Sequence, residues 1–306
     1  MPVHPEVQHY IDLISQAPSF HTMSPADVRQ LFLKRKSMVE PVAPNLSKVE
    51  DIKINHNIQI RLYRPLHSSL TDILPVLVYY HGGGMMIGDL ETHDTLCREL
   101  CQFSNVCVIA VHYRRAPESR FPAAVDDSWL AFQWIVKNSD HLRIDKTSIA
   151  VAGDSAGGTL AAVVAIFARD HHIKIQFQVL IYPAIDQTLS YPSIEEFANG
   201  YVLTKENILF YRSHYINPSD YADFRASPIL ASNLSNLAPA FVLTAGFDPL
   251  IDEGSAYAEK LKAAGNIVEY KCYPDMIHGF VRMGGIMQTA NLAVLEISER
   301  IKNFLS

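Results

Sequence analysis

The sequence predicts an α/β fold in which a mostly parallel central sheet carries helices on both faces and a helical cap covers one end. Three observations lead there. Short apolar, β-branched runs alternate with helical patterns from Val76 onward, the signature of right-handed βαβ units. A serine between glycines, Gly153-Asp154-Ser155-Ala156-Gly157, stands where one such run gives way to a helical pattern. Residues 186–232 show no β pattern of their own, which marks an insertion between two core strands.

Two amphipathic helical patterns open the chain, at 6–16 and 24–36, the second with Ser24 as cap and Pro25 at the first helical position. Segments 49–54 and 57–63 alternate in the manner of an antiparallel pair, and strand 76–80 begins the parallel part. Helices are then expected at 93–103, 122–137 and 159–169, and strands at 106–111, 148–152 and 176–182. The insertion carries Tyr191, Phe197, Tyr201, Phe210 and Tyr211, with a helix at 205–215. A strand at 241–245, a helix opened by Asp252 and Glu253, and a strand at 266–273 follow. On this reading residues 46–185 and 233–306 form the catalytic core, residues 1–45 lend helices to a cap, and 186–232 are the cap insertion.

Composition bounds the function without specifying it. A chain of 306 residues with 48% hydrophobic content can bury one large core. A net charge of −6, with no basic run interleaved by aromatics, gives no electrostatic reason to expect nucleic acid. The longest strongly apolar run, 160–168, falls far short of the about 20 residues a membrane span requires. The N-terminus lacks a basic segment followed by an apolar one, so a cytoplasmic protein is expected, as a monomer or homodimer. Four cysteines form no disulfide framework and no zinc spacing; Cys97 and Cys101, on one helix face, read as buried thiols.

The chemistry starts at Ser155. Small residues two positions either side let strand and helix approach closely, so the serine takes a strained conformation with its hydroxyl pointing out of the sheet. Upstream, His81-Gly82-Gly83-Gly84 follows an apolar run, and consecutive glycines can turn their N–H groups toward one point. With the N–H of Ala156, two of these amides would hold the negative oxygen of a tetrahedral acyl intermediate. A nucleotide-phosphate reading is weaker, because no Gly-Lys-Ser or Gly-Lys-Thr ending follows. His81 itself is better suited to fixing the glycine loop than to moving protons.

A serine hydroxyl needs a base and something to orient it. Of thirteen histidines, His278 is the best placed, in the loop 274–280 at the C-terminal end of a late strand, where catalytic loops of open α/β sheets collect. His171 and His172 are explained by a helix C-terminus. Asp248 lies just beyond strand 241–245 and is the expected orienting acid. Asp275, three residues from the histidine, is the reserve acid and equally a turn former. Asp252 and Glu253 need only the helix macrodipole. Ser155, Asp248 and His278 then run in the order nucleophile, acid, base, which is the α/β-hydrolase order.

Together with Tyr113-Arg114-Arg115-Ala116-Pro117-Glu118, Phe121-Pro122-Ala123-Ala124, Asp248-Pro249-Leu250, Asp252-Glu253-Gly254 and His278-Gly279-Phe280, these motifs resemble the hormone-sensitive-lipase-like branch, family IV, of α/β-hydrolase carboxylesterases. The resemblance implies the α/β-hydrolase fold and hydrolysis of a small-molecule carboxylic ester with no cofactor and no metal. It further implies an oxyanion hole of Gly83, Gly84 and Ala156, and a cap made by the insertion and the N-terminal helices. Two departures are visible. Met85 and Met86 stand where family members often have an aromatic residue, and Arg115 replaces the usual leucine.

The expected function is a serine carboxylesterase for short to medium acyl esters, acting through an acyl-enzyme. The same machinery would serve an amidase or a metabolite deacetylase. A more distant alternative is a non-catalytic small-ligand binder built on the fold.

Overall fold

The computed structural model describes residues 2–306. In chain order its regular elements are α1 (Pro5–Ile14), α2 (Pro25–Val39), β1 (Lys48–Lys53), β2 (Gln59–Arg64), β3 (Leu74–Tyr80), α3 (Asp94–Ser104), β4 (Cys107–His112), α4 (Ala123–Lys137), α5 (Ser139–Leu142), β5 (Ile144–Asp154) and α6 (Ala156–Asp170). The second half adds β6 (Phe177–Ile181), α7 (Ser193–Glu196), α8 (Lys205–Tyr215), β7 (Ala240–Phe247), α9 (Ile251–Ala263), β8 (Val268–Ile277) and α10 (Gln288–Leu305). The eight strands among the described residues join one sheet in the order β1-β2-β4-β3-β5-β6-β7-β8. The pairings of β2 are antiparallel, and every other pairing from β4 to β8 is parallel.

The central strands read as unbroken apolar runs because both of their faces are covered. Along β3, Val76, Val78 and Tyr80 enter one core with residues of α4, α6 and α9. Leu77 and Tyr79 enter the other, with α3 and α10. This alternation is the two-residue period of a strand sandwiched between helical layers.

Two strands run further than expected. β5 continues through Asp154, so the turn before α6 is the single residue Ser155. β8 continues through Ile277, so Pro274 lies inside a strand. β8 is the edge of the sheet and pairs only with β7, so a residue without an N–H is tolerated there. The helix α10 was not among the expected elements, although its buried Ala290, Ala293, Val294, Ile297 and Ile301 recur at helical spacing.

Segment 186–232 contains α7, α8 and short 3₁₀ turns and no strand. It lies against the N-terminal helices: Phe20 and Val28 share a cluster with Met86, Ile87, Phe210 and Tyr211. The side-chain oxygen of Asn207 on α8 accepts the His21 backbone N–H at 3.2 Å. Both segments face the C-terminal ends of the parallel strands, where Ser155 and His278 also emerge.

Candidate active site

Ser155 is held in a conformation that an L-residue adopts only under constraint, with φ 54° and ψ −120°. The constraint is local backbone bonding. Its N–H donates to the Ile181 carbonyl at 2.8 Å, and its own carbonyl accepts from Gly158 at 2.9 Å and Ala184 at 3.1 Å. A side chain on Gly157 would strike the Tyr80 carbonyl, which explains why the strand-to-helix crossing needs glycine there.

The Ser155 hydroxyl lies 2.9 Å from His278 Nε2, and His278 Nδ1 lies 2.7 Å from Asp248 Oδ2. Asp248 is wholly buried, and its Oδ1 accepts the Leu250 N–H at 2.9 Å, so both oxygens are occupied. That fixes the proton arrangement: with the carboxylate accepting Nδ1–H, Nε2 is left to accept from the serine. The ring of Tyr182 packs against the imidazole with centroids 4.7 Å apart. His278 follows the last residue of β8, so a strand rather than a mobile loop aims it.

Facing Ser155 is the glycine loop. Gly83 and Gly84 both have positive φ, 111° and 59°. Among the described residues, the N–H groups of Gly83, Gly84 and Ala156 have no acceptor in the protein. Ala156 is also the first residue of α6, whose N-terminal partial positive charge adds to the same spot. Three unpaired donors beside a hydroxyl–imidazole pair form a site able to bind developing negative charge.

Asp154 fixes this loop. It is 4% exposed, and its Oδ1 accepts from Gly82 N–H and from the Tyr79 hydroxyl, each at 2.8 Å, with His93 Nε2 3.2 Å away. Burial by itself would raise its pKa. The adjacent His93, followed by Arg282 and the Tyr79 hydroxyl, outweighs that and holds the carboxyl well below the usual range. His81 Nδ1 contacts the Gly82 carbonyl at 2.9 Å and the Tyr113 hydroxyl at 3.1 Å, and burial keeps its pKa well below 6.5.

The far side of the loop is clasped by Arg29 of α2. Its Nε donates to the Met86 carbonyl at 2.8 Å and its Nη2 to the Ala116 carbonyl at 2.7 Å, while the guanidinium pairs with Glu118. Arg115 is used in the same way: its Nη1 donates to the Gly88 carbonyl at 2.6 Å. The two methionines diverge. Met85 lines the cavity over Ser155, whereas Met86 is buried against Phe20 and Val28.

That cavity has a volume of about 160 Å³ and is mainly apolar, with Phe20, Phe32, Val202, Leu203 and Ile208 among its walls. Among the described residues no helix is long and apolar enough to cross a membrane, and no group of three or more histidine, cysteine, aspartate and glutamate side chains is set to hold a metal.

The structure therefore brings Ser155, Asp248 and His278 together and sets the Gly83, Gly84 and Ala156 amides beside them. The reserve acid Asp275 is not in contact with the imidazole; its backbone carbonyl instead accepts the His4 N–H at 3.0 Å. Asp252 and Glu253 do more than complement a helix dipole. Asp252 accepts from Ser193 N–H, and buried Glu253 accepts from Ile185 and Asp186 N–H, so both tether the segment that leaves β6. Sequence reasoning also missed Asp154, His93, Tyr182 and Arg29. Asp154 alone carried a readable signal, an acid inside an otherwise apolar strand end.

With this architecture and site, the protein has the α/β-hydrolase fold. A family profile described as alpha/beta hydrolase fold matches residues 77–282. The ethyl acetate hydrolase of Pseudomonas putida is 36% identical over the full length of both chains. Carboxylesterase NlhH of Mycobacterium tuberculosis is 38% identical over 89% of this chain and 87% of its own. Among solved structures, a hyperthermophilic esterase from the archaeon Pyrobaculum calidifontis superposes with a TM-score of 0.92 at 41% identity, covering 99% of each chain. The chain belongs to the α/β-hydrolase family, in its hormone-sensitive-lipase-like branch, and is a carboxylic ester hydrolase.

Proposed function

We propose that the protein is a serine carboxylesterase for short to medium acyl esters, with Ser155 as nucleophile, His278 as base and acid, and Asp248 as the group that orients the imidazole. The single observation that carries this reading is the relay of 2.9 Å and 2.7 Å contacts ending beside three unpaired amides. His278 takes the serine proton as Oγ attacks the ester carbonyl. The Gly83, Gly84 and Ala156 amides hold the oxyanion, each donor being worth about 3 kcal/mol of barrier. Collapse of the intermediate breaks the ester C–O bond, His278 protonates the departing alcohol, and an acyl-enzyme remains. His278 then activates a water, which releases the acid and returns the proton to Ser155.

The acyl-chain preference rests on size. An apolar cavity of about 150 Å³ holds benzene, so one of about 160 Å³ favours groups of similar bulk over long acyl chains. Residues 1–45 and 186–232 act as the cap that excludes water from the intermediate. Hydrolysis of p-nitrophenyl esters of increasing chain length tests both parts. Rates should peak at short to medium chains, and Ser155→Ala should lower them by about ten-thousand-fold or more while the protein stays folded. Near-normal turnover by Ser155→Ala would refute the assignment.

A further inference from the structure

The charge inside the cavity runs against that of the chain. The protein carries a net charge of −6, yet the cavity wall holds Arg35, Lys36, Arg212 and Arg282. Among the described residues its one carboxylate is Asp154, already occupied by Gly82, Tyr79 and His93. Lys36 and Arg282 share the single carboxylate of Glu40, at 3.7 Å and 3.4 Å.

The other two have no carboxylate partner among the described residues. Arg212 donates to the Gln187 carbonyl at 2.9 Å and stacks over Tyr221, with no carboxylate paired to it among the described residues. Arg35 has neither a carboxylate nor a hydrogen-bond acceptor among the described residues; its guanidinium sits 4.7 Å above the Phe20 ring. Its charge reaches both sides of the cavity. Burial raises the phenol pKa of Tyr10 on α1 and Tyr211 on α8, and Arg35 partly offsets the rise at each. A half-buried guanidinium, oriented over an aromatic face and lacking an anion, is a preformed fork for a carboxylate.

We infer that the cavity accepts esters bearing a carboxylate remote from the scissile bond, with Arg35 as the residue that binds it. This deepens the esterase reading and rests on it. The surrounding apolar wall favours the chain between ester and carboxylate, and the guanidinium selects its charged end. Arg212 adds positive potential from the insertion side, so the two covering segments each contribute to the same specificity.

Alkyl half-esters test the inference, because they are stable in water and have neutral counterparts of matched length. Monomethyl adipate and methyl hexanoate are compared in the wild type, Arg35→Gln and Arg35→Lys. The ratio of kcat/KM for the charged over the neutral ester should fall about tenfold or more in Arg35→Gln, mainly through KM of the charged ester. Arg35→Lys, which keeps the charge but loses the planar fork and the stacking over Phe20, should retain only part of it. The same ratio in wild type and Arg35→Gln would overturn the inference.

Calorimetric titration of monomethyl adipate into Ser155→Ala separates this from the esterase reading, since no turnover is required. Binding weakened about tenfold by adding Arg35→Gln supports the carboxylate site even if neither ester were hydrolysed. Equal binding with and without Arg35, alongside normal ester hydrolysis, would remove the carboxylate site and leave the esterase reading intact.

Discussion

Around Ser155 the backbone is pinned by short hydrogen bonds to β6, α6 and Ala184, and the Asp154 side chain ties the glycine loop to it, whereas the opposite wall, from α1, α2 and α8, is held largely by apolar contact. The first region is specified to fractions of an ångström: a side chain on Gly82, Gly153 or Gly157 would strike a neighbouring backbone atom. The second is joined through Phe20, Phe32, Phe210 and Tyr211, whose contacts tolerate repacking. The difference separates two tasks. On the proposed reading, reaction geometry sits on the sheet, where rigidity keeps donors and nucleophile aligned, and ligand choice sits on segments that can vary without disturbing that alignment.

The sharpest way to break this comparison is at the acid. Asp248→Asn should lower kcat by about ten-thousand-fold, because an amide stabilises the wrong imidazole tautomer. Asp275→Asn, at a residue out of contact with the imidazole, should leave kcat within about twofold of wild type. Steady-state kinetics on one p-nitrophenyl ester compares them, and the reverse outcome would move the orienting role to Asp275.

A smaller effect is expected where the two regions are clasped. Arg29→Ala removes the donors to the Met86 and Ala116 carbonyls, leaving two part-buried acceptors without partners. Stability should drop by about 1–2 kcal/mol and KM should rise several-fold, with kcat much less affected. Denaturant titration and steady-state kinetics check both. A kcat loss as large as that of Asp248→Asn would mean that the covering segments set the reaction geometry after all.

The smallest expected effect on activity concerns Glu99 on α3, which is 7% exposed and whose influence falls on stability. Burial first, and then the negative charge of Glu40, push its pKa up to about 7. A carboxyl whose folded pKa lies above its unfolded value binds its proton more tightly when folded. Stability from this group is therefore fully present below pH about 4.5 and is lost as pH rises through about 7, on the order of 3 kcal/mol. Glu99→Gln should flatten that part of the stability profile in denaturant titrations at several pH values; an unchanged slope would place the linkage elsewhere.

Much of this was legible in the sequence because it is local. The strand pattern 76–80, the helix 205–215 and the glycine spacing around Ser155 each reflect a constraint within a few residues. The order of Ser155, Asp248 and His278 became readable once strand ends were located. What stayed hidden depends on distant packing. Pro274 reads as a strand breaker, and only the edge position of β8 makes it acceptable. Arg29 looks like an ordinary surface residue of an amphipathic helix until the Met86 and Ala116 carbonyls are brought beneath it from 57 and 87 positions away. Glu253 likewise reads as a helix-dipole residue until the chain leaving β6 folds over it.

The central claim is that His278 and Asp248 turn one ordinary hydroxyl into a nucleophile. Mass-spectrometric mapping after treatment with a fluorophosphonate tests it most directly. A single adduct on Ser155, formed rapidly in the wild type and slowed by orders of magnitude in His278→Ala, is the predicted result. An unlabelled wild type, an adduct on another residue, or equal labelling without His278 would contradict it.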